Sequence, residues 1–293
     1  MTRRLTLALS LLITGFLFLF FGALCVQAVP NFESHGWNIL TVAHWNFRQE
    51  VFGALSMVYG TIVVSGIAMG IAFPIGLGAA IFVSEYLSGK TRVALKVSIE
   101  LLAGIPSVIY GLLGVLYLRE WLFPILTPFG AVSGDCILTA GVLLAVMIVP
   151  TLMTLSDDAL RCVPRSFREA TLGLGLSRRG TILSTVLPQA SKGILAASLL
   201  AFGRALGETI AVYLVVGRAD QPFPKNIFSL DAWMQAGQTL TTKLGGSESA
   251  IAQGDPAHWS ALMALGFVLW LGIGILVFSV RRWVPRALTV ESA

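Results

Sequence analysis

Between Glu50 and Glu85 the chain runs for 34 residues without a charged side chain. No soluble fold hides a run of that length easily, because a globular surface needs about a quarter of its residues charged. A bilayer is the natural solvent for it, since a helix of about 20 apolar residues crosses the hydrocarbon core. The rest of the chain agrees: 56% of the 293 residues are hydrophobic and 12% are charged. No polar stretch is long enough to bury a core of its own. The sequence therefore predicts an all-α integral membrane protein, a single transmembrane domain over 1–293.

Six apolar runs qualify as spans, at about 5–29, 52–84, 98–118, 137–156, 193–217 and 259–280. The second is too long for one plain crossing, and too short for two crossings plus a turn, which need more than about 40 residues. Lysine and arginine placement decides the matter, because these residues are retained on the cytoplasmic side. Six spans with both termini inside put 14 basic residues in the cytoplasm and 5 outside, with Arg204 left within a span. Splitting the second run gives 6 inside and 13 outside. One long helix is expected, bent near Pro74 because proline removes a backbone hydrogen bond. Gly60, Gly66, Gly70, Gly76 and Gly78 line it, and the Gly66/Gly70 spacing suits close helix approach.

The first run, Leu5 to Val29, is longer than the roughly 7–15 residues of a signal-peptide core, so it is expected to be a retained span. The outer loops, about 31–50 and 218–258, carry Trp37, Trp45 and Trp233, which suit a membrane interface. The net charge of +5 does not point to nucleic acid, because the basic residues flank apolar runs instead of forming one face. Cys25, Cys136 and Cys162 are far apart, as are His35, His44 and His258, so neither a disulfide nor a metal site is expected.

Two features carry chemistry. Arg204 and Glu208 fall inside the fifth run, in Phe202-Gly203-Arg204-Ala205-Leu206-Gly207-Glu208-Thr209. An arginine at the centre of a membrane helix costs about 2.5–3.5 kcal/mol on insertion scales and needs a partner or a wet path. The i,i+4 spacing on a continuous helix would let the two side chains pair. Such a pair serves either transport or its own neutralisation, and spacing alone leaves both readings open. If transport is the role, Arg204 is the anion contact, a permanently charged planar fork. Glu208 would then hold it at rest, with Gly203 and Gly207 leaving room.

The second feature is the basic segment Asp157 to Lys192. Pro164 and Pro188 bracket it, and it reads as short helix, turn, short helix. Charge alone fits an ordinary cytoplasmic loop. The spaced Glu169, Ala170, Gly175, Leu187 and Pro188 specify a fixed turn able to dock a partner. A third segment, Glu100 to Ser107, opens the third span. Pro106 should bend it and free a carbonyl, and Ser107 could satisfy a backbone group or line a path. Glu85 and Glu100 are expected to be solvated near the inner interface. Gly89-Lys90-Thr91 imitates the end of a P-loop, but Ser84 stands where that motif requires glycine. No ATP site, and no cofactor, is expected on this chain.

The Glu169-Ala170-Thr171…Gly175…Leu187-Pro188 pattern resembles the EAA loop of binding-protein-dependent ABC importer permeases. It departs at Thr171, where alanine is usual, and at Thr185, where isoleucine is common. Arg204-Ala-Leu-Gly-Glu208-Thr209-Ile-Ala-Val212 and Ala103-Gly-Ile-Pro106-Ser107-Val-Ile-Tyr110-Gly111 are similar to the phosphate-specific permeases. Sulfate and molybdate permeases share the arginine and glutamate but usually place an aromatic residue where Thr209 stands. Phe52-Gly-Ala-Leu…Tyr59-Gly-Thr61, Ala80 to Glu85, and Ile210-Ala-Val212 resemble the PstC type more than the PstA type. The resemblance covers about 50–290.

It implies the type I ABC importer topology in a bacterial plasma (inner) membrane. It implies a heterodimer with a PstA-like permease, a dimeric ABC ATPase that binds ATP and magnesium, and an extracytoplasmic binding protein delivering inorganic phosphate. Arg204, Glu208, Thr209 and Ser107 would lie on the substrate path. Glu169, Ala170, Gly175, Leu187 and Pro188 would couple to the ATPase. Other readings stay open at this level: a permease for sulfate or molybdate, an ATP-independent anion transporter, and, with no nucleophile beside Arg204, a lipid-phosphate hydrolase.

Overall fold

The computed structural model describes residues 2–220, 223–224, 226–227 and 229–283. Lys225 and the segment 284–293, with Arg286, lie outside the described residues, as do the side chains of Arg3, Arg4, Arg281 and Arg282. Among them, Arg3, Arg4, Arg281, Arg282 and Arg286 are five of the fourteen basic residues expected in the cytoplasm, and Lys225 is one of the five expected outside.

Six helices are long and apolar enough to cross a membrane: span 1 (Leu5–His35), span 2 (Leu55–Tyr86), span 3 (Ser107–Phe129), span 4 (Ile137–Arg161), span 5 (Arg178–Gly207) and span 6 (Pro256–Ser279). The long uncharged run is one helix, with Pro74 inside it and a π turn over Phe82–Tyr86. The remaining regular structure is short helices and a two-residue hairpin pairing Trp45–Asn46 with Val51–Phe52.

Span 4 is the centre of the bundle, since 67% of its apolar window is buried. Val64, Ala68 and Ala72 of span 2 pack against Leu144, Met147 and Ile148 of span 4 in the main core. The approach is close because glycines leave out a side chain: a Cβ on Gly141 would strike Ile67, and one on Gly76 would press on Leu152. Gly66 and Gly70 play no such part, since nothing lies within 4 Å of a Cβ built on either. The expected glycine contact between these helices is therefore made by other glycines. Span 1 buries none of its apolar window and meets span 6 through Phe21 and Trp270, whose rings are 4.0 Å apart. Its row of exposed residues from Leu5 to Phe20 would be intolerable in water.

Three boundaries differ from the sequence expectation, each for a physical reason. Pro106 separates two helices instead of bending one: a linker helix, Gly89–Ala103, precedes the break, and span 3 starts at Ser107. Proline disfavours helical backbone at the residue before it, which here is Ile105. The fifth run breaks at Gly207, and a separate short helix follows over Ile210–Val215. The segment after Gly217 is not an open loop, because Leu240–Leu244 is a helical turn packed inside the bundle. There Lys243, one of the five basic residues counted on the outer side, is 1% exposed.

Candidate functional site

Arg204 lies in the last turn of span 5, where the negative end of the helix dipole favours a cation. Its Nη1 donates to Thr151 Oγ1 of span 4 at 3.0 Å. Among the described residues it forms no ion pair with Glu208. The reason is the helix break. Glu208 adopts extended backbone (φ −71°, ψ 124°), so the two side chains no longer stack one turn apart. Its Oε1 accepts from Ala211 N at 3.3 Å, capping the short helix that follows. Its carbonyl accepts from Thr241 Oγ1 at 2.9 Å, which ties the break to the packed segment.

Irregular backbone at membrane depth survives only when buried in protein or lining a wet cavity. Here the first condition is met. Thr209 and Glu208 are half-buried against the 240–245 turn, while the positions of Gly203 and Gly207 open onto free space. Arg204 is half-buried, and among the described residues only one of its five N–H donors is bonded, to Thr151.

Tyr110 of span 3 lies within electrostatic reach of Arg204. Its hydroxyl donates to the Leu102 carbonyl at 2.9 Å. That carbonyl is the one an N–H at position 106 would have served, and Pro106 has none. The freed acceptor was foreseen, but Tyr110 serves it together with the Ile105 N–H at 3.2 Å, and Ser107 does not. The Ser107 hydroxyl makes no hydrogen bond among the described residues. Thr151 and Tyr110 were not picked out as site residues. Thr151, beside Pro150 in an apolar span, carried a faint signal, since a hydroxyl there needs a partner.

At the other end of spans 2 and 4 sits the loop. A short helix, Arg165–Gly173, leads through a turn directly into span 5, so the second short helix is the beginning of a membrane span. Gly175 has φ +82°, with Leu176 N bonded to the Thr171 carbonyl and Gly175 N to that of Leu172. This pattern ends a helix with a left-handed residue, which glycine adopts without steric cost. Leu187 and Pro188 follow a π turn, Ile182–Val186, whose widened register absorbs the hydrogen bond that proline removes.

The loop helix is held by one residue. Arg168 donates to Glu85 Oε1 at 2.9 Å, to the Leu160 carbonyl at 2.8 Å and to the Val163 carbonyl. The last two close the C-terminal end of span 4, so one guanidinium joins span 2, span 4 and the loop. Glu85 is 9% exposed, not solvated as expected; Glu100, half exposed, fits the expectation better. Beside this joint, Asp157 is fully buried and accepts from Arg92 at 2.7 and 2.9 Å and from Lys96 at 3.3 Å. Glu169 and Ala170 face outward, together with the exposed Phe167, Leu172 and Leu174.

A charged cluster also occupies the end opposite the loop. Lys243 Nζ is 2.9 Å from both Asp220 and Glu248, and His258 Nε2 is 2.8 Å from Glu248. His258 stacks on Phe47. Nothing in the spacing of these residues along the chain foretold the cluster, which arises when the 218–255 segment folds inward.

Six membrane-spanning helices, with a loop helix exposed between spans 4 and 5, define a multi-pass membrane protein. Residues 72–290 match the profile of the binding-protein-dependent transport system inner membrane component family, and the chain belongs to that family. It is a multi-pass inner-membrane transport protein. Among its relatives, the phosphate transport system permease protein PstC of Mesorhizobium japonicum is 34% identical, the match covering 88% of this chain and 80% of that one. PstC of Pasteurella multocida is 33% identical over 91% and 86%. A bacterial ABC transporter that imports the acidic polysaccharide alginate shares the fold at TM-score 0.64 and 16% identity, covering 97% of this chain and 98% of that one.

Proposed function

We propose that the chain is one of two permease subunits of an ATP-driven inorganic phosphate importer, with Arg204 as the anion contact on the translocation path. The observation that carries the anion site is the state of Arg204: a half-buried guanidinium within the bundle whose one side-chain hydrogen bond among the described residues is to Thr151. The names of the relatives supply phosphate as the anion. Thr151 orients Arg204, Glu208 and Thr209 hold the unwound chain, and Ser107 lies at the mouth of span 3 with its hydroxyl free.

In this reading both termini and the loop are cytoplasmic. The loop helix, with Glu169, Ala170 and the exposed Phe167, Leu172 and Leu174, docks on a dimeric ATPase that binds and hydrolyses the ATP. Gly175, Leu187 and Pro188 fix the angle at which this helix meets span 5. A PstA-like permease completes the pathway, and the open Gly66/Gly70 face of span 2 offers a surface on which it could pack. An extracytoplasmic binding protein delivers phosphate at the opposite end.

The test is labelled-phosphate uptake by the assembled transporter with Arg204→Ala and Arg204→Lys at wild-type abundance, using sulfate and molybdate as competitors. Losing one charge-assisted contact at about 2 kcal/mol predicts a fall of about thirtyfold for the alanine variant. Wild-type uptake in both variants would remove Arg204 from the path. Equal competition by sulfate would remove phosphate as the preferred anion.

A further inference from the structure

A cleft of about 550 Å³ opens where the end of span 2, the start of the linker helix, the end of span 4, the loop helix and the start of span 5 meet. Five arginines line it, Arg92, Arg161, Arg165, Arg168 and Arg178, against a single carboxylate, Glu85. Two of the five are neutralised: Arg92 by Asp157 and Arg168 by Glu85. The other three have no carboxylate within ion-pair distance among the described residues. Arg178 donates to the Glu85 backbone carbonyl and lies over the Tyr86 ring at 5.0 Å, which fixes its position without cancelling its charge. Arg92 keeps a further donor in reserve, since its Nε is buried and unbonded.

Basic residues flanking spans are ordinary orientation signals, and these would need no other account if they splayed into solvent. Arg161, Arg165 and Arg178 are exposed, yet all five arginines line one concavity from four elements. Like charges brought together repel, and the side chains that could relieve the repulsion are already committed. An oxyanion would relieve it, because guanidinium groups match tetrahedral oxyanions with paired hydrogen bonds. The volume accommodates such a group with several waters, each taking about 30 Å³.

We propose that this cleft is a second anion site, separate from the Arg204 region, that binds a phosphate group through Arg161, Arg165 and Arg178. Its occupant is free phosphate or the headgroup of an anionic phospholipid, which present the same chemistry. The site adjoins the Glu85–Arg168 bridge, so occupancy would bias the joint between span 2 and the loop helix. A ligand shifts such an equilibrium only by its differential affinity for the two arrangements.

The experiment uses the whole transporter carrying Arg204→Ala, so the outcome does not depend on the proposed path. In nanodiscs of phosphatidylcholine, equilibrium binding of labelled orthophosphate tests the free-ion source. In nanodiscs containing phosphatidylglycerol, native mass spectrometry of the partly delipidated complex tests the lipid source. The expected result is one anion per permease in one of these arms, weakened at least about tenfold by Arg161→Gln with Arg165→Gln, as loss of charge-assisted hydrogen bonds requires. If the double variant does not assemble, Arg161→Gln alone is measured. No retained anion in either arm overturns the proposal without any further variant. So does an unchanged anion in the variants, including the case where they shed the ATPase, which would make these arginines a protein contact.

Discussion

Two arginines, Arg168 and Arg204, mark the two working regions of this permease, and they differ in how far their donors are used. Arg168 spends its guanidinium on Glu85 and on two carbonyls that end span 4. Among the described residues Arg204 makes one hydrogen bond, to a threonine hydroxyl. A saturated arginine behaves as a bolt, because moving it strands every partner at once. An unsaturated one within the bundle is poised for a ligand, since its insertion cost is only partly offset by the protein. On the proposed reading, the same residue type joins parts at the loop and contacts the transported anion in the bundle.

If this contrast holds, the largest effect on folding belongs to the loop. Arg168→Ala leaves the Glu85 carboxylate nearly buried without its partner, the Val163 carbonyl unpaired, and the Leu160 carbonyl with only a long bond from Val163 N at 3.4 Å. Breaking a buried pair from one side costs about 3–5 kcal/mol, and the 20% exposure of Arg168 places the expected loss at the lower end, about 3 kcal/mol. Thermal unfolding of the purified complex, followed by the fraction that remains assembled, should show a clear drop. Adding Glu85→Gln should recover part of it, because the stranded charge is gone. Arg204→Ala should leave the same measurement within about 1 kcal/mol of wild type, the worth of one hydrogen bond. Equal destabilisation by the two variants would break the contrast.

The next effect in size sharpens the Arg204 side. Thr151→Val removes the hydroxyl and keeps the shape, so Arg204 loses its one protein bond and the orientation it provides. About 1 kcal/mol of positioning predicts a roughly fivefold weakening of phosphate transport. It should fall on the apparent affinity, with the assembled complex as stable as wild type. Unchanged uptake would mean that Thr151 does not set the direction in which Arg204 points.

The contrast also separates what composition and spacing could tell from what they could not. Six spans, the single long second helix and the start of span 4 at Ile137 followed from apolar length and charge placement, which are local properties of the chain. Arg204 and the loop glycine were visible for the same reason: a lone charge in an apolar run, and a glycine after a helical segment. The Arg204–Glu208 pair was misjudged because i,i+4 spacing presumes an unbroken helix. The break depends on Thr241, more than 30 residues away, bonding the Glu208 carbonyl. Arg168 and Glu85 were read as ordinary interface charges because their partnership spans 83 residues. Likewise, the burial of Lys243 went unread because an inward-folding segment leaves no mark on local hydropathy. Contacts between distant residues decided each case that the sequence left unread.

The smallest effect tests whether partial saturation behaves in between. Lys96, on the linker helix outside the spans, donates to Asp158 at 2.6 Å and to Asp157 at 3.3 Å. The Asp158 hydrogen bond, helped by Asp157, lifts its ammonium above the ordinary lysine value of 10.5, against the opposing effect of burial. A raised folded-state pKa means stabilisation that is whole below the unfolded value and is lost as pH rises through the folded one. The stability gap between wild type and Lys96→Met should therefore be flat from neutral pH up to about 10, then close at higher pH. Its size should be no more than about 1 kcal/mol, because the side chain is partly exposed and water screens the pair. Arg92 holds the same Asp157 with a guanidinium that stays charged throughout this range. Consequently Arg92→Met should open a larger gap with no alkaline decline of this kind. A gap for Lys96 that ignored pH would place its contribution in packing of the alkyl stem, and the graded role of saturation would then rest on the arginines alone.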